Sequence, residues 1–273
     1  MQFSYLEHVD HELLPTIEIV WEVGRVFNSD SDHYVSSFYQ QLNALKDNTD
    51  LADKAGVERL RELCKQFYFQ LGFSTAPEPL LTSKRVLLDR AIRLRTGEPL
   101  TLALLLQEAA SYHGLVLELI DFPGYPLLRF DHEQCSYFVD PSSGDLLLDQ
   151  QVQERFEDAI DEDDEENESF SWEVLEAAEQ KIIIVRYLSE LKHAFISERR
   201  FADALTAVHM LLAVLPDDPY EIRDRGYILE ELDCNHVAVD DYQYFVEQCP
   251  DDPSAQLLRL QLENWTTPQT VLH

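Results

Sequence analysis

The sequence predicts an α+β domain, in which helices pack on a small antiparallel sheet, followed by an all-α repeat domain. Three observations carry this reading. Apolar residues recur at helical spacing through the first hundred residues and culminate in a nearly all-apolar stretch, TLALLLQEAA at 101–110. The apolar period then shortens to that of strands over four runs between 116 and 149. Past residue 175 the chain repeats itself with an offset of 34.

Val35, Phe38, Tyr39, Leu42 and Leu45 share one helical face, as do Val57, Leu60, Cys64, Phe67 and Leu71, with Gly72 placed as a stop. The segment TAPEP at 75–79 interrupts the pattern. Val86, Leu87, Ala91 and Leu94 restore it in a helix expected to end at Gly97. The next helix starts near Pro99, where a first-turn proline lacks nothing the helix needs, and runs to Gly114. It is apolar on most sides and is therefore expected to be central and buried. VLELID (116–121), PLLRFD (126–131), CSYFVD (135–140) and LLLD (146–149) read as strands, separated by the turn-type residues FPG, HEQ and PSSG.

Residues 157–168 hold nine acidic side chains in twelve positions, a self-repelling run read as a solvated boundary. The expected organisation is a helical and α+β domain over 1–156, an acidic linker over 157–175, and a repeat domain over 176–273. In the last, PDDP at 216–219 recurs at 250–253, Ala204 matches Ala238, and Leu211/Leu212 match Phe245/Val246. A 34-residue period of helix pairs is the tetratricopeptide signature. Gly226, Ala204 and Ala238 supply the small residues at close helix crossings. Pro216 and Pro250 end the second helix of each unit, because proline cannot continue it. Two repeats and a capping helix from Ser254 are expected.

The chain has 273 residues, 52 acidic and 21 basic, for a net charge of −31. Such a surface repels phosphate backbones and anionic membranes, so the expected partner is a protein or peptide, with no nucleic acid and no membrane. The N-terminus lacks the basic and apolar regions of a secretory signal, and no apolar stretch reaches membrane length. Cys64, Cys135, Cys234 and Cys249 are scattered, without a C-x-x-C pair. They are read as reduced, consistent with a cytoplasmic protein. Cys64 falls on an apolar stripe and is read as core.

Several clusters deserve chemistry-based readings. His8 and His11, among Glu7, Asp10 and Glu12, offer two imidazoles one helical turn apart, but no closing motif, and are read as a solvated helix start; no metal or cofactor is expected. Lys84, Arg85, Arg90, Arg93 and Arg95 form the one basic cluster, expected to pair with the chain's own carboxylates, the acidic run 157–168 among them. In the repeats, Arg186, Ser189, His193, Arg223 and Tyr227 are expected on the concave face of the first helices. There the two arginines would suit an acidic peptide or a terminal carboxylate. A groove packed on the N-terminal domain is the competing expectation.

The segment RAIRLRTGEPLTLALLLQEAASYHGL resembles the R-R-x-G-I-P-[IL]-[ST]-L stretch of a bacterial transglutaminase-like family, the SirB (type one) family, whose members carry C-terminal tetratricopeptide repeats. LGFS at 71–74, DFPGYPLLRF and YFVDPSSGDLL resemble that family's L-G-F, G-F-P-G-H-F-L-L-R and x-x-I-D-P-F-x-x-G-x-x-L. The resemblance implies a transglutaminase-like, papain-like core over roughly residues 30 to 265. In active members of that superfamily a Cys opens the buried helix, and His and Asp follow on adjacent strands. On this chain the helix start holds Thr101 and no cysteine, the His position is Tyr125, and the Asp position is Asp140.

Two of the three catalytic roles are thus unfilled, since a phenol with an ordinary pKa of about 10 is no neutral-pH base. The chain is expected to be a catalytically degenerate interaction or regulatory protein, with no catalytic residue. An enzyme with relocated residues, built on Cys135 with His132 and Asp140, is the alternative, although positions 132 and 135 have opposite strand parity and should face opposite ways unless the turn between them intervenes. A pocket at Thr101, Tyr125 and Asp140 that keeps a ligand without chemistry is a third reading.

Overall fold

The computed structural model describes residues 3–6, 9, 13–46, 51, 53–76, 80–124, 126–159 and 170–266. The chain forms two compact units, Val9–Tyr187 and Leu188–His273 together with Met1–His8. No helix among the described residues is long and apolar enough to cross a membrane.

The first unit opens with α1 (Thr16–Phe27), α2 (Ser31–Lys46) and α3 (Gly56–Lys65). The faces expected from periodicity are the buried ones: Phe38, Leu42 and Leu45 on α2, and Leu60 and Cys64 on α3, with Phe67 just beyond. A π-turn at Gln66–Gln70 prolongs α3, and Gly72 stops it at φ +76°, a conformation glycine adopts without a Cβ clash. The reversal lets Phe73 stack on Phe67, with centroids 4.4 Å apart.

The helix expected over 86–97 is broken. It forms two pieces, α4 (Ser83–Val86) and α5 (Leu88–Leu94), with Leu87 extended between them. The reason lies in the carbonyls of α4. Arg85 O accepts from Glu98 N at 3.0 Å, and Val86 O accepts from the Thr101 hydroxyl at 2.9 Å. Both acceptors that would continue the helix are therefore engaged by the next element. Helix α5 ends at Arg95, left-handed at φ 58°, two residues before Gly97, and Leu94 is exposed.

Helix α6 (Pro99–Tyr112) begins with proline in its first turn and buries residues on every side, from Leu100 to Ala110. Beside it lies the sheet, β1 (Glu118–Ile120), β2 (Leu127–His132), β3 (Cys135–Val139) and β4 (Leu146–Leu147), antiparallel in the order β1-β2-β3-β4. Helix α7 (Asp149–Ala159) and a 3₁₀ turn (Trp172–Leu175) pack on it. Their Val152, Phe156 and Leu175 share a core with Ile120, Phe122, Leu127 and Phe138. Residues 170–175, expected as the tail of the linker, thus belong to the first unit's core. Residues 160–169, which hold most of the acidic run, lie outside the described residues.

The units divide between Tyr187 and Leu188, within α8 (Gln180–Ser197), and not at the acidic run. The second unit continues with α9 (Phe201–Val214), α10 (Pro219–Glu231), α11 (Asn235–Gln248) and α12 (Pro253–Thr266). Ala204 and Ala238 are wholly buried, as the repeat requires. A Cβ on Gly226 would stand 2.8 Å from the Tyr242 ring, so α10 and α11 approach as closely as a glycine allows.

The four arginines of the basic cluster find partners near at hand. Arg85 pairs with Glu98 at 2.7 Å and Arg90 with Asp89 at 3.8 Å; Arg93 lies over Tyr34, and Arg95 over Phe73 while bonding Gln41. Asp89 itself is fully buried on α5, accepting from the Asn28 amide. Burial holds its carboxyl above the ordinary range, against the opposing effects of Asn28 and Arg90.

Gly226→Ala should lower stability by about 1–3 kcal/mol through overpacking against Tyr242, read from the urea midpoint of the second unit's transition. Asp89→Asn keeps an acceptor for Asn28 but cannot ionise. A raised folded-state pKa gives the parent a contribution that is full below the unfolded value and lost as pH rises through the folded value. The variant should therefore gain on the parent between pH 4 and pH 7 in parallel urea titrations, and an unchanged difference would refute the assignment.

Candidate functional site

The positions that match a transglutaminase-like centre lie on three elements. Thr101 sits in the first turn of α6, wholly buried, and its hydroxyl donates to Val86 O. This buried bond anchors the first turn of α6 to α4. Tyr125 lies outside the described residues.

The loop leading to Tyr125 is closely held. The Arg186 guanidinium bonds Asp121, and it donates to Phe122 O at 3.3 Å and Gly124 O at 3.2 Å. Gly124 is left-handed at φ +81°, and a Cβ there would meet Ala159 of α7 at 3.3 Å. Arg186, expected on the concave face of the repeats, instead clamps the β1–β2 loop. The reason is the length of α8: its first turns bury Ile183, Ile184 and Tyr187 and belong to the first unit.

Asp140 follows β3, nearly buried. One carboxylate oxygen accepts from Ser142 N at 2.7 Å and the other from Arg155 of α7 at 2.7 Å. Around it the turn closes with Gly144 N to Asp140 O at 2.7 Å and the Tyr68 hydroxyl to Pro141 O at 2.6 Å. The carboxylate orients a turn and holds α7. Arg155 carries no mark in the sequence, because the residue meets Asp140 only through the packing of α7.

The four cysteines are free. Cys64 is buried beside the Gly144 turn, and burial, with Asp145 adding to it, pushes its thiol up to about 12, so it carries no thiolate at neutral pH. For 132 and 135 the turn does intervene. A two-residue turn at Glu133 and Gln134, both left-handed, sets His132 directly opposite Cys135 across the β2–β3 hairpin, so the two share a face. They do not meet Asp140. It lies five residues along the chain from Cys135, on the order of 16 Å at strand rise, and is bound to Arg155. The His132 ring stacks on Phe130 and covers Gly56.

In the second unit, Lys192 is the residue that sequence reasoning overlooked. It stands 34 positions before Gly226, where the repeat calls for a small side chain, and it is buried. Its ammonium bonds both oxygens of Glu221 at 2.8 Å and Asp224 at 2.6 Å, tying α8 to α10. The three candidates His193, Arg223 and Ser189 gather on this seam. His193 is exposed, and partial desolvation and then the Lys192 charge hold its pKa below the ordinary value. Ser189 is half-buried one turn earlier. Arg223 bonds Asp224 and stacks between Tyr220 and Phe245, at 5.3 and 5.2 Å, so its charge is already engaged. Tyr227 stays exposed, edge-on to Phe201.

Among the described residues no group of three or more His, Cys, Asp or Glu side chains is placed to hold a metal ion. The N-terminal His8 and His11 cluster lies outside the described residues.

Two profiles match the chain: the transglutaminase-like superfamily over residues 32–189 and the tetratricopeptide repeat over residues 191–263. Protein SirB1 of Salmonella typhimurium is 34% identical over 217 residues, covering 79% of each chain. A UPF0162 protein of Vibrio cholerae is 33% identical over 218 residues, covering 75% of this chain and 74% of its own. A UPF0162 protein of Buchnera aphidicola is 29% identical over 273 residues, covering 99% and 100%. No solved structure matches. A buried helix, a four-stranded meander and a 34-residue helical repeat in this order, with these relatives, place the chain in the SirB1/UPF0162 family of transglutaminase-like proteins with tetratricopeptide repeats.

Proposed function

We propose that this protein is a non-catalytic, cytoplasmic interaction protein, in which a degenerate transglutaminase-like core is a scaffold and the repeats take a protein or peptide partner. The observation that supports this most directly is the state of Asp140. In a working centre that carboxylate would orient a histidine, whereas here both oxygens are occupied, by Ser142 N and by Arg155. Thr101 is likewise committed to Val86 O. For the repeats, the accessible groups on the seam are His193 and Tyr227, with Ser189 beside them, while Arg186 and Arg223 are engaged within the molecule.

A structural Asp140 and a catalytic one respond differently to substitution. Asp140→Ala should cost about 1–3 kcal/mol by leaving Ser142 N–H and Arg155 without their acceptor, and Asp140→Asn distinctly less. Neither substitution, nor Cys135→Ala, should alter amine incorporation into a glutamine-containing peptide, which should stay at the blank rate. Incorporation by the parent that disappears in Asp140→Asn or Cys135→Ala would favour the relocated-residue enzyme.

The groove is tested by affinity capture from a native bacterial lysate with the parent and with His193→Ala and Tyr227→Ser, both at exposed positions. Loss of the captured protein in both variants is expected. The same captured set with parent and variants would remove this face from consideration.

A further inference from the structure

We propose that the first unit carries a second binding groove, separate from the degenerate core and from the repeats, which takes a peptide segment bearing lysine or arginine beside aliphatic residues. The groove is a cavity of about 430 Å³ between the start of α1, the outer face of α6 and the approach to β1, with Gln180 of α8 at its side. A second depression of about 190 Å³ shares Thr16, Gln107, Leu117 and Gln180 with it and runs on past Glu118. The main cavity alone falls in the size range of ligand sites.

Its chemistry is one-sided. No lysine, arginine or histidine lines either depression among the described residues. Glu108 accepts from the Tyr39 hydroxyl at 2.8 Å and is paired with no cation among the described residues. Glu118, by contrast, is already neutralised by Arg129. The Gln180 amide nitrogen donates to Leu14 O at 2.8 Å and Thr16 Oγ1 at 3.1 Å, which leaves its Oε1 buried and without a donor. A buried acceptor lacking a donor is unfavourable, and a ligand N–H would satisfy it. The positive end of α1 is answered within the helix by Glu18 in its first turn.

The rim is aliphatic: Val116 is 75% exposed and Leu14 38%. A ligand that satisfies the walls must bring N–H donors and positive charge, and one that covers the rim must bring apolar side chains. A short basic peptide does both, and the field of a chain with net charge −31 draws it in. The groove shares no lining residue with the proposed repeat seam, and its test reads a different set of variants, so failure of one reading is distinguishable from failure of the other.

General attraction to an acidic protein must be separated from binding in the groove. The probe is a seven-residue peptide alternating aliphatic residues with lysine, titrated calorimetrically into the full chain. One companion peptide carries glutamate in place of lysine, another serine in place of the aliphatics. Val116→Lys and Leu148→Lys make the same charge change at two exposed aliphatic positions, of which only Val116 lines the groove. The probe should bind, and both companions should bind about tenfold more weakly or worse. Val116→Lys should weaken the probe about tenfold, while Leu148→Lys leaves it within about twofold. Glu108→Gln, which still accepts from Tyr39, should weaken it several-fold. An absence of probe binding, equal binding of either companion, or equal loss in the two lysine variants would overturn the proposal.

Discussion

The architecture of the first unit depends on how the start of α6 is anchored. One short helix, α4, holds it from both directions: Arg85 O takes the Glu98 amide, the Arg85 side chain pairs with the Glu98 carboxylate, and Val86 O takes the Thr101 hydroxyl. These contacts are buried, so each is screened little by solvent and each would leave an orphaned polar group if broken. They break the preceding helix at Leu87 and fix the angle at which α6 enters the core. Thr101, wholly buried, fastens the first turn of α6 to Val86 O.

The same economy recurs at Asp140 and at Arg186. The carboxylate at the end of β3 holds a turn and, through Arg155, the helix α7. The guanidinium of Arg186 holds the β1–β2 loop by one ion pair and two carbonyls. Helices α7 and α8 therefore hold the turn after β3 and the β1–β2 loop in place. In the second unit Lys192 plays a comparable part between α8 and α10. A buried ammonium surrounded by Glu221 and Asp224 is a specific, directional link, because each charge is acceptable in the interior only while its partners are present. The link gathers the seam residues and leaves His193 and Tyr227 facing outward.

The legible parts of the sequence were those written in periodicity. Phe38, Leu42, Leu60 and Cys64 announce their burial by spacing, and the 34-residue offset announces Ala204, Ala238 and Gly226. The break at Leu87 was not legible, because nothing local opposes a continuous helix there; the competing hydrogen bonds come from α6. At the hairpin tip the sequence left the face of His132 and Cys135 open, conditional on the turn. Strand parity was counted along the chain, whereas a two-residue left-handed turn at Glu133 and Gln134 pairs His132 with Cys135 across it. Lys192 had a signal, its place one period before Gly226, but its ammonium could be assigned only once Glu221 and Asp224 were brought alongside.

By itself the sequence determined the order of the layers and the repeat. These are properties of residue type and spacing, which survive without coordinates. The tertiary structure alone decided what the remaining polar groups do: that Asp140 answers Arg155, that Arg186 belongs to the first unit, and that Gln180 keeps a buried acceptor open beside Glu108. The physical reason is that a charge or hydrogen-bonding group has no fixed role along the chain. Its role is set by which partner lies within about 3 Å, and that distance is made by contacts between residues far apart in sequence.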